Sequence, residues 1–341
     1  MWVQTSKREQ GKERGANMES TDAAAVAGPG VRSPEPKRWK NRPGWRRFRT
    51  NIPLLMMFLP VILFYLIFRY APIGGLVIAF KDYNFYDGIM NSPWVGLHYF
   101  EILFQDSRTL EIIRNTLLLS LLNIVVGFPV PILLAIMLNE VRILSFKKTI
   151  QTIVYMPHFL SWVIIGMMVT TIFALENGMI NRLVTAFTGG EPYPFMYEKA
   201  SWVAIFVGSG IWKDMGFNAI IYLAALTTIN PSLYEAAGMD GASKLRQIWH
   251  ITLPGIRSTI ILLMILSMGR VMEVGFDQVY MLQNSNVNEI ADVISTYIYR
   301  IGLQGAQFSL TTAMGLFESL VAFILVFSAN FIARKFNEGL W

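Results

Sequence analysis

The sequence predicts an all-α polytopic membrane protein with about six transmembrane helices, and three observations predict it. Charged residues make up only 15% of the 341 residues and hydrophobic ones 53%, whereas soluble domains carry about 25% charged residues. The mean hydropathy is +0.43. The apolar residues also gather into six runs of near-spanning length, since a helix needs about 20 apolar residues to cross about 30 Å of hydrocarbon.

The first run covers about residues 52–70, through LLMMFLPVILFYLIF. The second covers about 113–138 and contains Gly127, Pro129 and Pro131, which predict a kink. The third, fourth, fifth and sixth cover about 150–175, 202–226, 258–275 and 311–332, each read as one continuous span. Residues 1–50 are polar, with Gly, Pro and Ala and little aliphatic content. Such a segment cannot bury enough apolar surface to fold alone, so we expect a disordered basic cytoplasmic tail, followed by a transmembrane domain over 51–341. No signal peptide is expected, because the polar lead is too long and the first apolar run has no A-x-A-like exit.

The net charge is +6 and the pI about 9.4. Position decides what that means. Lys37, Arg38, Lys40, Arg42, Arg46, Arg47 and Arg49 cluster just before the first run. That pattern suits membrane lipid with anionic headgroups and sets orientation; no nucleic acid is expected as a partner. Arg142, Lys147 and Lys148, then Lys244, Arg246 and Arg257, then Arg334 and Lys335 fall on the same side as the tail if there are six spans. The positive-inside rule then places both termini in the cytoplasm. Trp39, Trp45, Trp94, Trp202 and Tyr70 are expected to form an interfacial belt.

Several chemistries are excluded. With no cysteine there is no disulfide or thiolate site. The three histidines, His98, His158 and His250, are scattered, so no metal site is expected. No set of nucleophile, base and orienting group suggests an enzyme. The only Gly-Lys pair, Gly11-Lys12, is followed by Glu13 and lacks the rest of a phosphate loop.

The most informative stretch is the loop 230–255. Asn230 suits an N-cap and Pro231 the first helical position. Glu235 lies near the first turn, where an acid suits the helix dipole. Asp240-Gly241 should end the helix, with Gly241 free to take a positive φ. Leu245, Ile248, Trp249 and Thr252 follow at i, i+3, i+4 and i+7, which predicts one face of an amphipathic helix. Pro254 marks the turn into the membrane. So much small and apolar surface between spans reads as a partner site.

This loop resembles the EAA loop of permease subunits in ATP-binding-cassette importers. Glu235, Ala236, Ala237, Asp240, Gly241, Ala242, Ile251, Leu253 and Pro254 match its E-A-A, D-G-A and I-x-L-P pattern, and the likeness extends over about residues 110–335. The resemblance implies an importer-type permease fold in a bacterial cytoplasmic membrane. It implies that the loop docks on one of two ATPase subunits, which bind ATP and Mg; no cofactor is expected in this chain. It also implies a second permease and an extracytoplasmic solute-binding protein as partners. The stretches WKDMGFNAIIYLAAL (212–226), GFDQVYMLQN (275–284) and the ending TTAMGLFESLVAFILVFSANFIARK look like permeases for complex oligosaccharides, of pectin or alginate type. An oligosaccharide is the substrate that this second resemblance implies.

Charges inside the runs are costly toward lipid, about 2.5–3.5 kcal/mol each, so they are expected to face inward. Lys213 and Asp214 lie in the fourth run, Arg270 and Glu273 in the fifth with Asp277 just beyond, and Glu318 in the sixth. These six are candidate substrate-pathway residues; Arg270 and Glu273, at i and i+3, could instead pair structurally. The alternative function is a stand-alone secondary transporter driven by an ion gradient. It would need broken helices and inverted repeats, and the sequence shows neither.

Overall fold

The computed structural model describes residues 44–335, with side chains from residue 51 onward. The tail expected over 1–50, with Trp39 and Trp45, therefore lies outside the described residues apart from the backbone of 44–50. Among the described residues every regular element is helical, save one isolated antiparallel bridge between Lys81 and Trp94. The chain divides into two units, residues 1–66 and 67–341. In the first, α1 (Gly44–Tyr65) carries Pro53 and Pro60 inside it, and from residue 51 on its side chains are exposed.

The second unit holds the packed helices. These are α2 (Ser107–Leu122), α3 (Pro129–Glu140), α4 (Leu144–Tyr155), α5 (Trp162–Ile172), α6 (Met179–Thr188), α7 (Lys199–Leu226), α8 (Pro231–Met239), α9 (Lys244–Gln247), α10 (Arg257–Met268), α11 (Phe276–Leu282) and α12 (Phe308–Arg334). Shorter helical turns connect them. Among the described residues three helical stretches are long and apolar enough to cross a membrane: Asn51–Phe80, Ser107–Glu140 and Phe308–Arg334. Two bent pairs qualify if each is one span, giving up to five. The remaining expected span, the fourth run, is α7. Its 28 residues reach about 42 Å at 1.5 Å per residue, but Lys213, Asp214 and Asn218 make its middle too polar to qualify by composition alone.

In the second run the chain widens into a π-helical turn at Asn123–Gly127 and resumes at Pro129. Proline supplies no N–H to the preceding turn, so the irregularity sits where Gly127 and Pro129 predict it. The third run departs from expectation. It is not one continuous helix: Leu144–Phe159 and Trp162–Ile172 meet at 103°. Pro157 enters a tight turn, Met156–Phe159, and Ser161 starts α5 by accepting a hydrogen bond from the Ile164 N–H. The fifth run also departs. Its helix ends at Met268, and i→i+3 turns at Arg270, Val271 and Glu273 carry the chain to α11. Two charges within four residues after Gly269 interrupt the apolar pattern there.

A break inside a span leaves backbone carbonyls without partners, and hydrocarbon offers no water to satisfy them. Lys213 on α7 supplies the missing donors. Its Nζ donates to the carbonyl oxygens of His158 (2.7 Å) and Leu160 (2.9 Å). The side chain is 8% exposed, and the ammonium lies 5.7 Å from the centre of the Trp162 ring. Close approach makes this reach possible: a Cβ at Gly216 would run into the Val154 carbonyl.

Three apolar clusters fill the unit. One joins Ile165, Val169, Trp202, Phe206 and Val279. The second joins Ile112, Met272, Ile294, Leu310 and Met314. The third joins Ile132, Ile136, Tyr222, Leu226 and Ile256. Trp202, expected at the interfacial belt, is instead fully buried, and its indole N–H donates to the Leu282 carbonyl at 2.8 Å. Its place one helical face from Phe206, on which it stacks, puts it in the core. Trp94 does lie exposed, against Phe80. At one end of the helices, buried Asp292 accepts from Arg108 (3.0 Å), Arg300 (2.6 Å) and the Thr296 hydroxyl (2.9 Å), joining α2 to the segment before α12.

Replacing Lys213 with Met removes the donors and leaves two buried carbonyls, at about 1–3 kcal/mol each. Lys213→Met and Gly216→Ala should both lower the thermal unfolding temperature of the detergent-purified protein. An unfolding temperature equal to that of the unaltered chain would contradict the role given to the lysine.

Candidate coupling loop and substrate pathway

The loop 230–255 is built as two short helical pieces around a glycine turn. The Asn230 side chain accepts from the Ser232 N–H at 3.1 Å, and Pro231 opens α8. The helix closes at Asp240, Gly241 takes φ +74°, and the Ala242 N–H returns to the Ala237 carbonyl at 2.9 Å. Only glycine adopts that conformation without strain. Ser243 then starts α9, accepting from the Arg246 N–H.

The expected single amphipathic face does not form. After Gln247 the chain takes a π-helical turn, Ile248–Thr252, which adds a residue per turn and rotates the register. Leu245 and Trp249 point outward, 67% and 64% exposed, while Ile248 is half-buried and Thr252 buried. Leu233 and Met239 of α8 are exposed as well. Glu235, Ala236, Asp240, Gly241 and Pro254 are exposed, and Ala237 and Ala242 half-buried.

The inner side of the loop is tied down. The Tyr234 hydroxyl meets Thr252 Oγ1 at 3.1 Å, and Lys244 pairs with Glu140, the last residue of α3, at 2.8 Å. Gly255 packs directly on Ile229. Glu140, Leu233 and Met239 were not singled out from the sequence. The exposed Leu and Met are legible there only as two more apolar side chains beside the motif.

The six candidate pathway residues separate. Lys213 is taken up by the bent span. Asp214, its neighbour, is half-buried, and its Oδ1 accepts from His158 Nδ1 at 2.8 Å. In the sequence His158 is one of three scattered histidines; only the fold brings it to Asp214, 56 residues away. Arg270, Glu273 and Asp277 are exposed on the surface of the chain and not within its own core. Among the described residues no ion pair joins Arg270 to Glu273. Arg270 lies beyond the end of α10 and Asp277 in the first turn of α11, because the fifth helix stops early. Glu318 of α12 is half-buried, with Glu273 near enough for their charges to interact.

Chemically, the loop presents exposed apolar side chains over a hydrogen-bonded inner side. The second group is a set of hydrogen-bonding carboxylates and cations beside aromatic rings. Among the described residues no group of His, Asp and Glu could hold a metal ion.

The model of the family described as "Binding-protein-dependent transport system inner membrane component" matches residues 127–340. The polygalacturonan/rhamnogalacturonan transport system permease protein YteP of Bacillus subtilis (strain 168) is 47% identical over 285 residues, 84% of this chain and 88% of that protein. A chain in the crystal structure of a bacterial ABC transporter involved in import of the acidic polysaccharide alginate superimposes with a TM-score of 0.79 at 42% identity, covering 85% of this chain and 98% of that one. The same TM-score, at 41% identity over 86% and 98%, is found with the alginate transporter in complex with an alginate pentasaccharide-bound periplasmic protein. The chain therefore belongs to the family of inner-membrane components of binding-protein-dependent transport systems, which are transport permeases and not enzymes.

Proposed function

We propose that this chain is the permease subunit of an ATP-binding-cassette importer and forms half of the translocation pathway for an acidic oligosaccharide. The loop 230–255 is the observation that carries the reading. It exposes Leu233, Met239, Leu245 and Trp249 within one short loop, and apolar side chains displayed so suit a docking surface. Its occupant is an ATPase subunit, one of two that bind ATP and Mg. Glu140–Lys244 carries movement of the docked loop into α3. The relatives' oligosaccharide and alginate substrates motivate the choice of cargo, and an extracytoplasmic solute-binding protein delivers it.

Arg270, Glu273 and Asp277 are exposed in the lone chain, where lipid contact would cost about 2.5–3.5 kcal/mol each at the bilayer centre. A second permease covering that face, with a hydrated path between, removes the penalty. Carboxylates accept hydrogen bonds from sugar hydroxyls, and Arg270 can meet a uronate; Asp214, Glu273 and Glu318 belong to the same path. We place the chain in a bacterial cytoplasmic membrane as a multi-pass protein of six spans. Both termini are cytoplasmic, with residues 1–50 as a tail that orients the first span.

Two outcomes follow. Gly241→Val puts a β-branched residue at φ +74°, so the turn must change shape. The assembled variant should insert normally and lose substrate-stimulated ATP hydrolysis; retained stimulation would remove the loop from coupling. Glu273→Gln or Arg270→Met should lower uptake about tenfold, as loss of a hydrogen bond to a charged group does, and lower hydrolysis less. Uptake equal to that of the unaltered assembly would take these two residues out of the path.

A further inference from the structure

The bent span does more than interrupt a helix. Non-helical backbone at membrane depth is tolerated where it is buried in protein or lines a hydrated cavity. Here one side of the turn is closed by protein and the other is open at the surface of the chain. Lys213 closes the inner side. On the other side the turn presents His158, with its side chain 32% exposed, against Asp214, 44% exposed. Asp214 lies near the middle of the 28-residue α7, so the pair is also near the middle of the span.

The imidazole is held from two directions. It lies flat on Phe217, with ring centres 4.0 Å apart and planes 5° from parallel. Its Nδ1–H donates to the Asp214 carboxylate. Its Nε2 has no hydrogen-bond partner among the described residues. Phe159, next in sequence, stands edge-on to the imidazole at 5.7 Å and is 77% exposed. A large open ring, an oriented imidazole with one free nitrogen and a carboxylate with a free oxygen thus share one surface.

We propose that this turn is a sugar-contact subsite for a uronic-acid unit, which deepens the proposed function and rests on it. Phe159 takes the apolar face of a pyranose ring, as aromatic side chains pack against C–H surfaces. His158 takes the carboxylate: Asp214 holds the Nδ1 side of the ring, which turns Nε2 to the open side, where an imidazolium N–H would donate to an anion. The free Asp214 oxygen accepts from a neighbouring hydroxyl. Phe217 and Asp214 position the imidazole, and Lys213 holds the turn that carries it.

The test is uptake into proteoliposomes by the complete assembly: this chain, the second permease, both ATPases and the binding protein. A galacturonic-acid trisaccharide is compared with its carboxyl-reduced, neutral form. His158→Gln should lower uptake efficiency for the charged sugar about tenfold or more and for the neutral sugar much less, the loss expected when a hydrogen bond to a charged group disappears. Phe159→Ala should lower both sugars by a similar factor. Because Phe159 is exposed, that variant decides the matter if His158→Gln does not assemble. Equal losses in His158→Gln, or Phe159→Ala uptake equal to that of the unaltered assembly, overturn the subsite while the importer reading stands. An unaltered assembly that carries neither sugar overturns both.

Discussion

A carbonyl in hydrocarbon must find a donor within the protein, and much of this structure follows from how that requirement is met at residues 156–161. Pro157 ends one helix, the chain turns through 103° and α5 departs at Ser161. Straight helices satisfy themselves; this turn cannot. Lys213 reaches it from α7 because Gly216, three residues on, lets α7 lie against the α4 backbone. The ammonium closes the buried side, and its neighbour Asp214 meets His158 on the open side. One dipeptide on one helix therefore supports the bend and supplies a polar surface beside it.

At the loop 230–255 a second irregularity has a different consequence. The π-helical turn at Ile248–Thr252 parts what a regular helix would have kept on one face. Ile248 and Thr252 turn toward α8 and the membrane helices; Leu245 and Trp249 turn out with Leu233 and Met239. The inner contacts tie the loop to the helices beneath it, and the outer side chains stay exposed. Lys244–Glu140 ties the loop to α3. Surface ion pairs of this kind contribute little stability, about 0–1 kcal/mol, so its value lies in register rather than in strength.

Much of this was legible in the sequence. Apolar length alone located α2–α3, α7 and α12 within a few residues, and Gly127 with Pro129 marked the irregular turn between α2 and α3. The loop was legible because its signals are local: a capping Asn230, Pro231 at the first turn, Gly241 where the helix must end. What was hidden depends on contacts between distant residues. Pro157 marks a place where a helix can break within the apolar pattern over 150–175, but the pattern resumes beyond it and nothing in it sets an angle of 103°. Trp202 looks interfacial by position but finds the Leu282 carbonyl in the core. Arg270 and Glu273 have pairing distance in sequence, yet the helix that would have aligned them stops at Met268. His158 carries no motif at all; its meaning comes from Asp214 and Phe217 on another helix.

We propose that this chain moves sugar only as part of an ATP-driven assembly. The most direct measurement is uptake of a labelled acidic oligosaccharide into proteoliposomes holding the chain alone, and then holding the chain with the second permease, ATPases and binding protein. Ion gradients and ATP are imposed separately. The account predicts no uptake by the chain alone under any gradient, and uptake by the full assembly that starts with ATP and stops without the binding protein. Gradient-driven uptake by the purified chain alone would contradict it.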